Sequence, residues 1–120
     1  MNLTKLKEKI MKINEKQHGD VTVLTLSGDL INVKMEIHPY VKNLIEEGKK
    51  KIVVDLGKVK WFGSTALGSM MASYSSLKAA DGNMKVARPS SKLQTLFYQM
   101  KLQQIFESFD SVEEAVESFK

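Results

Sequence analysis

Eight consecutive residues, Trp61-Phe62-Gly63-Ser64-Thr65-Ala66-Leu67-Gly68, concentrate the chemistry this chain offers. Ser64 and Thr65 stand where an apolar run with helical spacing begins, and two large aromatics precede them. A serine at that point has two readings. As an N-cap, its Oγ accepts a hydrogen bond from a backbone N–H of the first turn. As a phosphorylation site, with Thr65 the secondary acceptor, it sets a phosphate against the free N–H groups and partial positive charge of a helix start. A phosphate brings about −1.5 to −2 charges at pH 7, so it can repel a partner and leave the fold intact. Of Trp61 and Phe62, one is expected to pack under the helix. The other is expected to stand exposed as a binding anchor, since aromatics are enriched at interface hot spots. Ser69, Ala72, Ser73 and Ser76 make a small, flat helix face, either plain solvated surface or a docking face.

Catalysis is harder to assemble, because general acid–base chemistry needs titratable groups gathered in one site. Asp55, near the end of a buried strand, has no evident partner. Asp29, after an earlier strand, is the carboxylate that could join it, for example around a metal ion. The chain has no cysteine, which removes disulfides, thiolate metal sites and a cysteine nucleophile. His18 and His38 lie far apart in sequence. Neither GxxxxGK[ST] nor GxGxxG occurs. The expectation is a non-enzymatic protein with no metal and no other cofactor.

The chain of 120 residues is the size of one domain, expected to span 1–120. Residues 1–12, with Leu3, Leu6, Ile10 and Met11 among lysines, read as a flexible or short helical extension. Hydrophobic content of 42% and charged content of 27% suit a soluble globular chain. No apolar run nears the ~20 residues of a membrane span. The first lysines are followed by no apolar block, which argues against a signal peptide. A cytoplasmic location without membrane insertion is therefore expected. The net charge of +4 arises from 17 lysines and one arginine against 14 acidic residues. Arginine is the preferred bidentate reader of phosphate and guanine. A balance this rich in lysine reads as solvated surface, and direct nucleic-acid binding is not expected.

The elements that must position these residues read as β-β-α-β-α-β-α-β-α. INEKQH (13–18) and VTVLTLSG (21–28) form a hairpin about Gly19-Asp20. In the second strand Val21 and Val23, with Leu24 and Leu26, oppose Thr22, Thr25 and Ser27. A helix follows from about Val33 or Met35 to Glu47, with Pro39 tolerated only in a first turn and Gly48 past its end. Ile52 to Leu56 reads as a strand buried on both faces, hence part of a parallel sheet. The helix from Ser64 to about Ala80 turns Leu67, Met70, Met71, Tyr74 and Leu77 inward. Then come a strand at 84–87, a helix with Leu93, Leu96, Phe97 and Met100 inward, a strand at 104–109, and a helix opened by the Ser111–Glu114 capping box. Met70, Met71, Met84 and Met100 are expected to fill the core. Such an alternation implies right-handed crossovers and a mixed sheet.

The run from Val53 to Gly68 resembles the STAS domain of anti-sigma-factor antagonists. The family pattern is an apolar strand, Asp-Leu, a short loop with apolar positions, then Asp-Ser-Ser/Thr-Gly-Leu-Gly. The likeness covers about residues 13–119. It includes Val-Leu-Thr-Leu-Ser-Gly-Asp-Leu at 23–30, the Asp81-Gly82 turn and the closing Ser111-Val112-Glu113-Glu114-Ala115. It implies an α/β fold, a mixed sheet of about five strands with about four helices mainly on one face. It also implies a small cytoplasmic bacterial protein, a monomer or weak dimer. Such a protein binds an anti-sigma factor that is also a serine kinase, and so frees the sigma factor. The kinase would phosphorylate Ser64 with ATP, and a serine phosphatase would reverse this. The implied contact surface is Lys58, Lys60, Trp61, Phe62, Gly63 and Thr65, then Gly68, Ser69, Ala72 and Ser73, then Asp29, Leu30, Ile31 and Asn32. Two departures stand out. Gly63 replaces the family's Asp, removing a charge beside the acceptor hydroxyl and loosening the loop. Ala66 replaces its Gly, which is benign in a helix. The alternative that Gly63 suggests is a phosphorylation-insensitive STAS scaffold subunit of a signalling or lipid-transport complex.

Overall fold

The computed structural model describes residues 12–28, 37–61 and 63–120. Among these, five strands form one sheet in the order β1-β2-β3-β4-β5: β1 Lys12–His18, β2 Val21–Ser27, β3 Lys51–Lys58, β4 Asn83–Ala87 and β5 Ser108–Phe109. Four helices connect or flank them: α1 Ile37–Glu46, α2 Ser64–Ala79, α3 Ser91–Gln99 and α4 Val112–Glu117. β1 runs antiparallel to β2 across the Gly19-Asp20 hairpin, and the other three pairings are parallel. This is the mixed α/β architecture expected from the alternating pattern.

Side-chain alternation assigns the two faces of the sheet. Leu24 and Leu26, Ile52, Val54 and Leu56, and Met84 and Val86 share a large core with Ile37, Val41 and Leu44 of α1, Leu67, Met70 and Leu77 of α2, and Leu93 and Phe97 of α3. Val21, Val23, Val53 and Ala87 point the other way, onto Ala115 and Val116 of α4. Three helices therefore cover one face and one short helix the other. β2 is consequently not amphipathic. Its two valines and two leucines lie on opposite faces, and Thr22 is fully buried, its hydroxyl donating to Gln17 at 2.8 Å.

Pro39 sits in the first turn of α1, where its missing N–H is harmless. Residues 33–36, expected to start that helix, lie outside the described residues. The helix ends at Gly48, in the left-handed region at φ 83°. Gly48 N–H donates to Ile45 and Lys49 N–H to Leu44, a pattern that satisfies the last carbonyls. Ser90 and Ser111 cap α3 and α4 through bonds from Leu93 N–H and Glu114 N–H. The strand expected over 104–109 shortens to Ser108–Phe109. Leu102–Gln104 form a 3-10 turn instead, since the N–H groups of Ile105 and Phe106 both bond to Leu102 and draw Phe106 into the core. Met70 and Met84 are buried as expected, whereas Met71 and Met100 stand exposed at 39% and 50%. Edge strand β1 is tied to α1 by Glu15, which accepts from Tyr40 and, at 3.1 Å, from Lys49.

Candidate functional site

The approach to the site is set by a carboxylate clamp. Asp55 is buried near the end of β3 and accepts from Arg88 Nε (2.9 Å) and Nη2 (2.8 Å), Gly57 N–H (3.0 Å) and Thr25 Oγ1 (3.2 Å). Burial pushes the Asp55 carboxyl up, but the Arg88 contact, with the Gly57 and Thr25 bonds, outweighs it and holds the group below its ordinary value. A Cβ at Gly57 would overlap the Arg88 guanidinium where it meets Asp55, so a larger residue there would shift that side chain. The expectation that Asp55 lacks a partner is therefore overturned, since the chain's single arginine occupies it. A cavity of about 300 Å³ on the α4 side adjoins this pair, lined also by Asn14, Lys16, His18 and Glu113. Among the described residues no group of three or more His, Asp or Glu is placed to hold a metal. None of their helices is long and apolar enough to cross a membrane.

Beyond the clamp the chain alternates between anchor and display. Val59 is buried, its N–H bonded back to Leu56 at 3.0 Å, while Lys58, Lys60 and Trp61 face out. Trp61 is 40% exposed. Gly63, not Ser64, occupies the N-cap position, and it offers no side-chain cap; its carbonyl accepts from Leu67 N–H at 3.1 Å. Ser64 is the first helical residue and is exposed, as is Thr65. Among the described residues the Ser64 hydroxyl makes no capping bond, so the capping role read from spacing does not hold.

The exposed stripe of α2 consists of Ser64, Gly68, Met71, Ser75 and Lys78, at alternating steps of four and three. The stripe expected from residue size was Ser69, Ala72, Ser73 and Ser76. That face is instead where α1 packs. Ser69 Oγ accepts from His38 N–H at 3.1 Å, and Ser76 Oγ pairs with His38 Nε2 at 3.0 Å. Ser73 is fully buried, its hydroxyl donating to the Ser69 carbonyl. Ser73 is thus withdrawn from the exposed surface, and Ser69 and Ala72 are only half open. Met71 was expected in the core because it is a large apolar residue beside Met70, and Ser75 was assigned to neither face. A strict count of helical positions from Ser64 would have found both.

Asp29, Leu30, Ile31, Asn32 and Phe62 lie outside the described residues. Ser27 at the end of β2 pairs with Lys58, which places the exit of β2 beside the Lys58–Trp61 loop. On the other side of that loop, Trp61 lines an open groove of about 720 Å³ with Ser91, Lys92, Thr95, Leu96 and Gln99 of α3.

A five-stranded sheet in sequential order, with an exposed serine opening the helix after its central strand, is an arrangement with known relatives. The STAS domain model matches residues 12–115. This chain belongs to the STAS domain family. Solved STAS-like structures superpose on it over most of their length. An anti-sigma factor antagonist from Mycobacterium paratuberculosis does so with TM-score 0.78 and 18% identity, over 90% of this chain and 92% of that one. The Thermotoga maritima protein TM1081 gives 0.74 and 23%, over 88% and 86%. The Bacillus cell fate determinant SpoIIAA, in its phosphorylated form, gives 0.71 and 18%, over 91% and 100%. At such identities the likeness establishes the shared fold. No curated protein matches the chain in sequence.

Proposed function

We propose that this STAS domain is a protein-binding switch of the anti-sigma-factor-antagonist type. It captures an anti-sigma factor that is also a serine kinase, and phosphorylation of Ser64 releases it. The observation that carries the reading is the pairing of Ser64 with Gly68. Both lie on the exposed stripe of α2, and an added Cβ at Gly68 would meet nothing within 4 Å. A flat helix face with a hydroxyl at its positive end suits a partner that approaches closely and a phosphate that interrupts it. In the transfer step Ser64 Oγ forms a bond to the γ-phosphorus of ATP as the bond to ADP breaks, and the hydroxyl proton passes to a base of the kinase. A serine phosphatase restores the hydroxyl with water. Lys58, Lys60, Trp61, Gly63 and Thr65 extend the contact surface, and the family resemblance adds Asp29, Leu30, Ile31, Asn32 and Phe62 to it. The reaction belongs to the partner, and this chain acts as substrate and ligand, in the cytoplasm.

Gly63 favours a second reading. With no acidic residue before Ser64, the domain would serve as a constitutive STAS scaffold in a signalling or lipid-transport complex, unresponsive to ATP. Capture experiments with wild-type and Ser64→Asp baits, with and without ATP, separate the two. The switch is expected to bind a kinase-like anti-sigma factor and to lose it with ATP or with Ser64→Asp. Retention of the same partner under all four conditions would establish the scaffold instead.

A further inference from the structure

Charge is unevenly distributed along this chain. Seven cationic residues and one acidic residue lie between Leu56 and Phe106, leaving eleven cationic and thirteen acidic residues elsewhere. The exception, Asp81, follows the C-terminus of α2. It is separated from Ser64 by a helix of 16 residues, roughly 24 Å. Lys58, Lys60 and Lys92 are exposed, and among the described residues none of them is in an ion pair. Arg88 is held by Asp55 beside the α4-side cavity. Arg88 and Lys85 are paired with Asp55 and Glu107, whereas the Trp61 groove is lined by the unpaired Lys92 and adjoined in the chain by the unpaired Lys60. Its apolar surface comes from Trp61 and the half-buried Leu96.

We propose that the groove seats an acidic segment of a protein partner, with one apolar side chain inserted between Trp61 and Leu96. The inference rests on reading the α2 stripe as a partner face, and it extends that face across the loop onto α3. An aromatic–aliphatic groove rewards burial of an aliphatic or aromatic anchor. Unpaired lysines around it favour carboxylates and speed their approach. Nucleic acid fits less well, because the one arginine is engaged by Asp55 and a single aromatic offers little stacking. A membrane fits less well, because the apolar surface is concave.

Trp61 is the chain's only tryptophan, so its fluorescence reports on the groove directly. The probe is a short synthetic peptide of aspartate and glutamate around two central leucines. A saturable blue shift is expected, with affinity falling by about tenfold or more when the leucines become serines, and likewise in Lys60→Glu or Lys92→Glu. Added salt should weaken it further. Both substitutions are at exposed positions, and circular dichroism checks that the variants fold. Absence of a shift, or equal affinity in the charge-reversal variants, overturns the proposal. So does a stronger response to oligothymidine or to phosphatidylglycerol vesicles, or self-association that Lys92→Glu abolishes, which would seat a second copy in the groove. If Gly68→Glu abolishes capture of the kinase and Lys92→Glu does not, the switch reading stands and this inference falls. Peptide binding in the absence of any kinase capture supports this inference and removes the switch.

Discussion

Gly68 lies inside a helix, where glycine costs about 1 kcal/mol relative to alanine. The folded chain has no steric need for it, since an added Cβ meets open space. A partner that lies flat on α2 does need it. Gly68→Ala is therefore expected to stabilise the protein by about 1 kcal/mol in thermal unfolding while weakening capture of the partner. A variant that gained stability and bound as before would remove this stripe from the interface. Asp55 is the opposite kind of residue, one the fold itself requires. Its carboxyl is held below the ordinary value in the folded state, so its contribution is present above the unfolded pKa of about 3.9 and is lost as pH falls through the folded value. Asp55→Asn should lower stability near pH 7 by about 2 kcal/mol, the scale of hydrogen bonds to charged groups. The loss should shrink as both proteins are acidified below pH ~4. Urea midpoints measured across that range check the sign: a deficit that grew on acidification would mean that Asp55 is not the group being titrated.

At the scale of elements, the helices and strands were legible because apolar spacing and turn residues agree along the chain. Gly19-Asp20, Gly48 and Ser111 all mark the ends expected of them. What misled was size as a guide to exposure. Small hydroxyl residues read as solvent-facing, yet Ser69 and Ser76 hydrogen-bond His38 of α1, and Ser73 is buried with its hydroxyl donating to the Ser69 carbonyl. Met71 read as core and stands outside. The site divides in the same way. Ser64 and its loop are continuous in sequence and could be found there, whereas Lys92 and Leu96 join Trp61 only through the packing of α3. The corrected face of α2 carries a direct expectation. Met70→Ala should cost about 2–5 kcal/mol through the cavity it leaves, and Met71→Ala no more than about 0.5 kcal/mol. Denaturant unfolding of the two variants measures the difference, and comparable losses would return Met71 to the core.

The whole molecule is a sheet between two unequal layers. Three helices and a large apolar cluster back one face and hold α2 and its stripe in place. The other face carries α4, six residues long, over a small cluster of valines and alanines. Lys85 supplements that thin layer: its ammonium donates to the Ser118 carbonyl (3.1 Å) and hydroxyl (2.8 Å) and sits 4.4 Å from the centre of the Phe119 ring. Local opening free energies follow buried apolar contact. The α4 layer should therefore open well before the sheet, and without disturbing the α2 face proposed to meet a partner. Native-state hydrogen exchange should show residues 112–117 exchanging through a low-energy local opening, while 52–56 exchange only with global unfolding. Phe119→Ala, which removes the ring over Lys85, should speed exchange in α4 by about tenfold. It should leave protection of α2, and capture of the partner, at wild-type levels. If protection of α2 fell together with that of α4, the two layers would form one cooperative unit. The binding face would then be coupled through the sheet to the helix behind it.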